Sequence, residues 1–201
     1  NGSGKSTLLK VLAGALRPDR GQVRVAGDDV ATRLDAVRRR VALLGHSSFT
    51  YDSLSARENL DIVARYVGTP DRQAAIGALL EQVGLAHRAL DPVASFSAGM
   101  RKRLALARVL LQQPEVALLD EPYGELDPPG FRFVDALIPA LQAKGTTVLL
   151  ASHLLERGAE LCDRGVVLEQ GKVAFVGDSR ELLVKGGLAP AGSARLQAGG
   201  A

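Results

Sequence analysis

The sequence predicts an α/β fold with a mainly parallel sheet, and three observations lead to this prediction. Short apolar runs alternate with longer amphipathic stretches, as in repeated strand–helix units. The run Val116–Leu119 is apolar at every position, which is typical of a strand buried on both faces of a parallel sheet. With 201 residues, 46% of them hydrophobic, the chain is long enough for one domain with a full core.

Each element is predicted from its local pattern. Helices are expected where apolar residues recur every three or four positions, strands where they alternate or run together, and turns at glycine or proline. Ser55, followed three positions later by Glu58, forms a capping box that begins a helix. In chain order we predict helix 5–16, strand 21–27, strand 41–45, helix 55–67, helix 72–83, helix 100–111, strand 116–119, helix 128–143, strand 146–151, a hairpin over 166–175 and a last helix to 185, capped by Asp178.

Two acids, Asp120 and Glu121, follow the apolar run directly. Ligands of parallel sheets bind at the carboxyl ends of the strands, so both acids are candidates for a site. Asp120 would hold Mg²⁺, directly or through water, and Glu121 would orient or deprotonate a water molecule. The alternative is a solvated strand end with two surface acids, and these residues alone leave both readings open.

A predicted helix, Met100–Leu111, precedes that strand. Ser97 stands where an N-cap is expected, and the hydroxyl, the free N–H groups and the helix dipole would also make an anion site. Capping alone would explain the serine. The predicted polar face of the helix consists of basic residues, namely Arg101, Lys102, Arg103 and Arg108.

The first seven residues match the end of a P-loop, G-x-x-x-x-G-K-[ST]. They are Asn1, Gly2, Ser3, Gly4, Lys5, Ser6 and Thr7. Glycines let backbone N–H groups close on phosphate oxygens, Lys5 reaches the β- and γ-phosphates, and the Ser6 hydroxyl ligates Mg²⁺. Thr7 can add a phosphate contact. The opening glycine of the pattern would lie two positions before Asn1, so we expect that the chain begins inside the motif.

Taken together, three stretches resemble the signature, Walker B and D-loop motifs of ABC-type ATPases, a class of P-loop NTPases. They read FSAGM over 96–100, LLDEP over 118–122 and GELD over 124–127. The first departs from the usual LSGGQ. The resemblance implies an ATPase domain over residues 1–185, with a helical subdomain at about 53–112 and a small antiparallel β part, followed by a flexible tail over 186–201.

The resemblance also implies roles for particular residues. ATP and Mg²⁺ are the expected cofactors, with Ser6 and Asp120 as metal ligands. Lys5, Glu121 and His153 are the expected catalytic residues: Glu121 positions the attacking water, and His153 matches the switch histidine that bonds the γ-phosphate. The residues alone leave open that His153 is a histidine satisfied in the core.

Two copies are expected to pack head to tail. Each ATP would then contact Ser97, Ala98, Gly99 and Met100 of the opposite copy, and Asp127 would couple the two sites near the dimer axis. His46 stands where this family has a glutamine that contacts Mg²⁺ and senses the membrane partner. It either replaces that contact with nucleotide and metal or only packs its loop.

Composition excludes some classes of protein. The net charge is +3, without a large basic block, and Arg38–Arg40 is expected to be the solvated end of a helix, so no nucleic-acid partner is expected. The single cysteine, Cys162, excludes an internal disulfide and is expected to be a core residue. No apolar run approaches the length of a bilayer span.

The expected function is therefore that of an ATP-hydrolysing subunit of an ABC membrane transporter, bound at the cytoplasmic face to a separate membrane subunit. Gly45–Leu54 and the stretch FSAGMRKRLALAR are similar to the haem-exporter ATPases of cytochrome c maturation. The alternative cargo is that of an ABC-2-type drug, lipid or polysaccharide exporter. A soluble ABC ATPase acting on DNA or ribosomes is disfavoured because no heptad array separates Lys5 from Asp120. An inactive homologue is disfavoured by Glu121 and His153.

Overall fold

A computed structural model describes residues 2–45 and 49–185. Asn1, His46 and the predicted tail over 186–201 lie outside the described residues, so the predictions made for them are untested. By the density of its contacts the chain divides into two units. Of the described residues, the larger unit contains 6–45 and 49–151, and the smaller one joins residues 2–5 to residues 152–185. Each unit is described by itself below.

Each helix and strand predicted within the described residues has a counterpart in the structure, which adds a short strand, Asp28–Asp29, and a helix, Leu155–Leu161, that were not predicted. The helices are α1 Lys5–Leu12, α2 Leu34–Arg40, α3 Ala56–Val67, α4 Arg72–Gln82, α5 Ala98–Gln112, α6 Pro128–Ala143, α7 Leu155–Leu161 and α8 Ser179–Lys185. The strands are β1 Arg24–Val25, β2 Asp28–Asp29, β3 Val41–Leu44, β4 Val116–Asp120, β5 Thr147–Ala151, β6 Arg164–Glu169 and β7 Lys172–Asp178.

The larger unit contains a parallel sheet in the order β3-β4-β5, with Val116 opposite both Val41 and Thr147. All five residues of β4 are buried, as the apolar run predicts for a central strand. Strand β5 is less buried than β4, since its middle residues are only half-buried. Among the described strands β5 pairs with β4 alone, so it is an edge strand of this sheet.

Three helices of the larger unit share a hydrophobic core of their own. The apolar faces of α3, α4 and α5 meet there, with Leu60, Ile76, Leu80 and Leu104 each almost fully buried. Val93 and Phe96, in the segment that leads into α5, belong to the same cluster. This packing fixes α5 relative to the two helices before it in the chain.

The P-loop helix is shorter than predicted. It ends at Leu12, and Gly14 then adopts a φ of +65°. The N–H groups of Ala15 and Leu16 both donate to the carbonyl of Lys10, which closes the helix at a left-handed glycine. A side chain at Gly14 would also collide with Leu34, since its Cβ would lie 2.3 Å from Cδ1. Gly14 could therefore have predicted the end of α1, although the pattern of apolar residues continues beyond it.

The strand predicted over 21–27 is reduced to Arg24–Val25, because the chain turns back at Ala26 and Gly27 into β2. The prediction that Arg38–Arg40 is merely solvated is also wrong in part. Arg38 donates to the carbonyl of Gly14 at 3.0 Å, and Arg40 pairs with the buried Asp28 at 3.3 Å. The end of α2 is thus tied to neighbouring chain segments.

The smaller unit is built on the antiparallel hairpin of β6 and β7. Its turn, Gln170-Gly171, has positive φ at both positions, which suits a tight hairpin, so the predicted hairpin is confirmed. The Gly171 N–H donates to the carbonyl of Ser3 at 3.1 Å. The prediction that Cys162 is a core residue is wrong in part, since it is only half-buried; burial raises the pKa of its thiol, which disfavours a nucleophilic role.

Helix α3 begins with the predicted capping box. Ser55 Oγ accepts from the N–H of Glu58 at 3.2 Å, and Glu58 Oε2 accepts from the N–H of Ser55 at 2.8 Å. Hydrogen bonds from the Ser55 hydroxyl and then from its N–H lower the pKa of the Glu58 carboxyl. Both ends of the box thus satisfy backbone donors that the helix leaves without partners.

The substitution Ser55→Ala should lower the free energy of unfolding by about 1 kcal/mol, because it removes the cap. Urea unfolding of the intact protein measures this change, and Ser53→Ala is the control, since Ser53 is exposed just before the helix. A lowered Glu58 pKa stabilises the folded state above the ordinary carboxyl value, and this contribution is lost as pH falls through the lowered pKa. The difference between Ser55→Ala and the parent should therefore shrink in acid. Equal stability of Ser55→Ala and Ser53→Ala at neutral pH would contradict the capping role.

Candidate functional site

The carboxyl end of β4 carries the two predicted acids. Asp120 is the last residue of the strand and only 4% exposed, so the reading of two surface acids is wrong. Glu121 turns the chain with a φ of +46° while its N–H donates to the carbonyl of Ala151 at 2.8 Å. Its own carbonyl accepts from Gly124 at 3.1 Å. The strand therefore ends in a hydrogen-bonded turn that fixes both acids at the sheet edge.

A buried lysine lies close to these acids. Lys102 of α5 was predicted on the polar face of the helix, but it is only 7% exposed. Burial lowers the pKa of its ammonium, while the charges of Glu125, Asp120 and Glu121 oppose that shift. The signal was readable, since positions 102, 105, 106 and 109 share one helical face and the last three are apolar.

The beginning of α5 has the predicted cap, although the helix starts at Ala98 rather than at Met100. Ser97 Oγ accepts from the N–H of Met100 at 3.2 Å, and the side chains of Ser97 and Ala98 are exposed. A Cβ at Gly99 would lie 2.9 Å from the carbonyl oxygen of Glu125. The glycine therefore allows α5 to approach the backbone that follows β4.

Asp127 also connects α5 with this segment. Its carboxylate caps α6 by accepting from the N–H of Gly130 at 3.0 Å, and it forms an ion pair with Arg103. The hydrogen bond from Arg103 is the main reason that the pKa of Asp127 is lowered. Ser97, Gly99, Asp120, Glu121 and Asp127 thus all lie at or beside the junction of α5 with the β4–α6 connection.

The P-loop residues have the backbone that phosphate binding requires. Gly2 and Gly4 have φ values of +82° and +98°, which residues with a Cβ rarely adopt. Lys5 Nζ donates to Ser3 Oγ at 3.1 Å. Ser6 and Thr7 lie exposed in the first turn of α1, where free N–H groups favour an anion.

The oxygen donors fit Mg²⁺ when phosphates complete its coordination. Within residues 2–45 and 49–185 no three carboxylate, histidine or cysteine side chains form a ready-made metal cluster. Mg²⁺ typically uses one or two carboxylates together with substrate phosphates and water. The Ser6 hydroxyl and the Asp120 carboxylate are donors of the right hardness for this arrangement.

His153 follows β5 by two residues and is exposed, so the reading of a satisfied core histidine is wrong. Ser152 Oγ accepts from the N–H of Leu154 at 3.0 Å and shapes the bend that presents the imidazole. His153 and Lys5 belong to the smaller unit, whereas Ser6, the acids after β4 and the start of α5 belong to the larger one.

Comparison with known proteins establishes the family. The model of the ABC transporter family matches residues 1–124, which is more than half of the chain. The chain belongs to the ABC transporter family. No helix in the described ranges is both long and apolar enough to cross a bilayer.

Curated relatives of this ABC protein include two with a named role. The daunorubicin resistance ATP-binding protein DrrA3 of Streptomyces coeruleorubidus is 41% identical over 93% of this chain and 60% of its own length. The Nod factor export ATP-binding protein I of Burkholderia thailandensis is 37% identical over 91% of this chain and 61% of its own length. The chain thus spans about three fifths of these relatives.

A solved structure described as the ATP binding subunit of an ABC transporter superposes with a TM-score of 0.85. It is 29% identical to this chain, of which it covers 94%, while the chain covers 79% of it. The predicted fold class, a P-loop α/β domain of the ABC type, is confirmed by this match.

The lowered pKa of Lys102 gives a testable pH dependence. Between the lowered value and the ordinary one near 10.5, the unfolded chain holds a proton that the folded chain has released. The free energy of unfolding should therefore rise with pH in this window, and Lys102→Met should remove that rise. Denaturant unfolding at a series of alkaline pH values up to 10.5 measures it. Lys144→Met, at an exposed site after α6, is the control. A slope that is unchanged in Lys102→Met would mean that other groups cause it.

Proposed function

We propose that this chain binds and hydrolyses ATP as part of the ATPase subunit of an exporter. The observation that carries the proposal is the combination of a P-loop backbone at Gly2–Ser6 with a buried aspartate, Asp120, at the end of a central parallel strand. ABC family membership supports the same activity. The proposal concerns the activity of the whole protein. The catalytic motifs described above lie in this chain.

In the proposed mechanism the backbone N–H groups of the P-loop and the Lys5 ammonium hold the β- and γ-phosphates. Ser6 and Asp120 would hold Mg²⁺, which would supply positive charge against the charge that develops on the phosphates. The Glu121 carboxylate orients the attacking water and accepts its proton. His153 donates a hydrogen bond to the γ-phosphate. Asn1 and Thr7 add contacts to the phosphate groups.

We propose that the functional unit is a head-to-tail dimer with two composite sites. Ser97 and Ala98 are exposed at the positive end of α5, which supports their use by an ATP bound to a second copy. Gly99 and Met100 complete this surface. Asp127, on the connection between β4 and α6, would couple the two sites.

We propose that the ATPase lies at the cytoplasmic face and binds a separate membrane subunit, to which it transmits its conformational change. Large apolar side chains are exposed on the loop after β3 and on α3, namely Phe49, Tyr51, Ile62 and Tyr66. Such a surface suits a protein partner. His46, in the same loop, would take the place of the glutamine usual in this family. Residues 53–112 would form the helical subdomain, which carries the α3 part of this surface.

The cargo is proposed to be that of a drug, lipid or polysaccharide exporter of the ABC-2 type. The names of the curated relatives, one for daunorubicin resistance and one for Nod factor export, favour this alternative. The comparisons give no support to the haem-exporter resemblance. No residue described here is expected to touch the cargo, so the relatives carry this part of the proposal.

The substitution Glu121→Gln should preserve ATP binding and abolish most turnover, because it removes the basic carboxylate and keeps the size of the side chain. A loss of about 10²–10⁴-fold in ATP hydrolysis is expected for the intact protein. The ATP-bound dimer should then accumulate, which gel filtration in ATP and Mg²⁺ would show. Glu81→Gln, at an exposed glutamate of α4, is the matched control. Unaltered turnover in Glu121→Gln would remove Glu121 from the catalytic role.

Mixing two inactive variants tests the composite sites. Ser97→Arg should block the signature surface, and Lys5→Ala should disable the P-loop. In a mixed dimer one composite site contains both changes and the other contains neither. Partial ATP hydrolysis by the mixture is therefore expected. No recovery, once mixed dimers are demonstrated by differential tagging, would count against independently competent sites.

A further inference from the structure

The Phe49–Leu54 loop, which follows β3, is irregular and yet closely held. Phe49 adopts a φ of +49°, a conformation that is unfavourable for a residue with a Cβ. The N–H of Tyr51 donates to Asn59 Oδ1 at 2.8 Å, and Asn59 Nδ2 returns a bond to the carbonyl of Tyr51 at 3.0 Å. The loop nevertheless exposes half or more of the Phe49 and Tyr51 side chains.

One guanidinium of α5 joins this loop to the strand before it. Arg108 Nη1 donates to the carbonyl of Phe49 at 2.8 Å, and Nη2 donates to the carbonyl of Leu43 at 3.2 Å. The same group lies over the Phe49 ring, 5.5 Å from its centroid. The two carbonyls belong to residues on either side of the segment that contains His46.

Arg108 would be an unfavourable residue if it only stabilised the helix, because its charged group is largely buried. Its Nε is buried without a partner, and no carboxylate lies within ion-pair distance of it among the residues that the structure describes. Burial lowers the pKa of the guanidinium, because the charge has lost water without gaining an acid. An apolar residue would avoid that cost but could not hold two carbonyls at once, which the planar fork of arginine can do.

A second arginine on α5 contacts the other end of the loop. Arg101 forms an ion pair with Asp52 at 2.6 Å and donates to the carbonyl of Ala94 at 3.2 Å. The N–H of Ala94 in turn donates to the carbonyl of Asp52 at 2.9 Å. Arg101 and Arg108 are seven residues apart, which is about two turns or 10 Å, so both lie on the same face of α5.

We propose that Arg101 and Arg108 are positioning residues that hold the Phe49–Leu54 loop against α5. A partner that binds the exposed Phe49 and Tyr51 and displaces the loop would then also displace α5. The helix begins with Ala98 and Gly99 of the proposed signature surface. Because its core contacts with α3 and α4 hold it rigid, a displacement of one part of α5 would move its beginning as well. The inference deepens the proposed function, since it supplies the contacts by which docking of the membrane subunit would reach the composite site.

The test uses the intact protein assembled with its membrane subunit in liposomes. In Arg108→Met, stimulation of ATP hydrolysis by the membrane subunit should fall about fivefold or more, while hydrolysis by the ATPase alone changes less than about twofold. Arg108→Lys should recover part of the stimulation, since an ammonium can reach one of the carbonyls. Arg132→Met, at an exposed arginine of α6, should behave like the parent.

Arg101→Met and Asp52→Asn give an independent test, because they break the second contact and leave those of Arg108 intact. Both should lower the stimulation to a similar extent. Hydrogen exchange of the isolated protein adds a readout without activity: in Arg108→Met the amides of the Phe49–Leu54 loop should exchange about tenfold faster, while those of α5 remain protected.

The outcomes separate this proposal from the proposed function. Full stimulation of Arg108→Met, or loop exchange equal to that of Arg132→Met, would overturn the positioning role. Loss of protection throughout α5 in Arg108→Met would assign Arg108 to helix stability and also overturn it. If the parent neither hydrolyses ATP nor responds to the membrane subunit, the proposed function fails, and the exchange measurement still decides whether the arginines fasten the loop.

Discussion

The burial of strand β4 is the constraint on which the rest of the structure depends. It pairs with β3 and β5 in parallel, and each of its five residues is buried, including the terminal Asp120. Side chains alternate between the two faces of a strand, so a shift of register by one residue would move every apolar side chain to the opposite face. The hydrophobic packing of Val116–Leu119 therefore also fixes where the carboxylate lies. An acid in this position needs no support from a mobile loop.

Helix α5 connects the segment after β4 with the loop after β3. One part of it carries Lys102 toward the acids after β4, and Gly99 lets its first turn approach the carbonyl of Glu125. Arg101 and Arg108, on another part of its surface, contact the loop after β3. A rigid helix that contacts several chain segments at once makes their positions depend on one another, which is the requirement for transmitting a displacement.

Among the charged side chains of the larger unit that lose much of their hydration, three lie where α5 or β4 meets another segment, whereas the buried Asp28 lies on β2 and pairs with Arg40. Asp120 and Lys102 are almost fully buried, and the Nε of Arg108 has no partner. Replacing such groups by apolar residues is often neutral or stabilising for a fold. Their presence is therefore more readily explained by the site than by stability, which agrees with the tendency of perturbed charges to gather at functional sites.

The sequence by itself determined the features that depend on neighbours along the chain. The P-loop glycines, the Ser55 capping box, the Ser97 cap, the Gln170-Gly171 turn and the apolar run that ends in Asp120 are local patterns, and each predicted its element. The family resemblance rested on FSAGM, LLDEP and GELD, which are also short local stretches. Prediction from local patterns was less accurate where a single residue interrupts the helical recurrence of apolar residues, as when Gly14 ends α1 four residues before its predicted end.

Only the tertiary structure decided where the long basic side chains of α5 go. A helical period predicts which positions are polar, but the stem of a lysine or arginine is long enough to carry its charge to either side of the helix border. Lys102 turns inward because acids that follow a different element offset its burial. Arg108 finds its carbonyl partner on Phe49, 59 residues away along the chain. Such contacts depend on how strand, loop and helix meet in space, which no local pattern encodes.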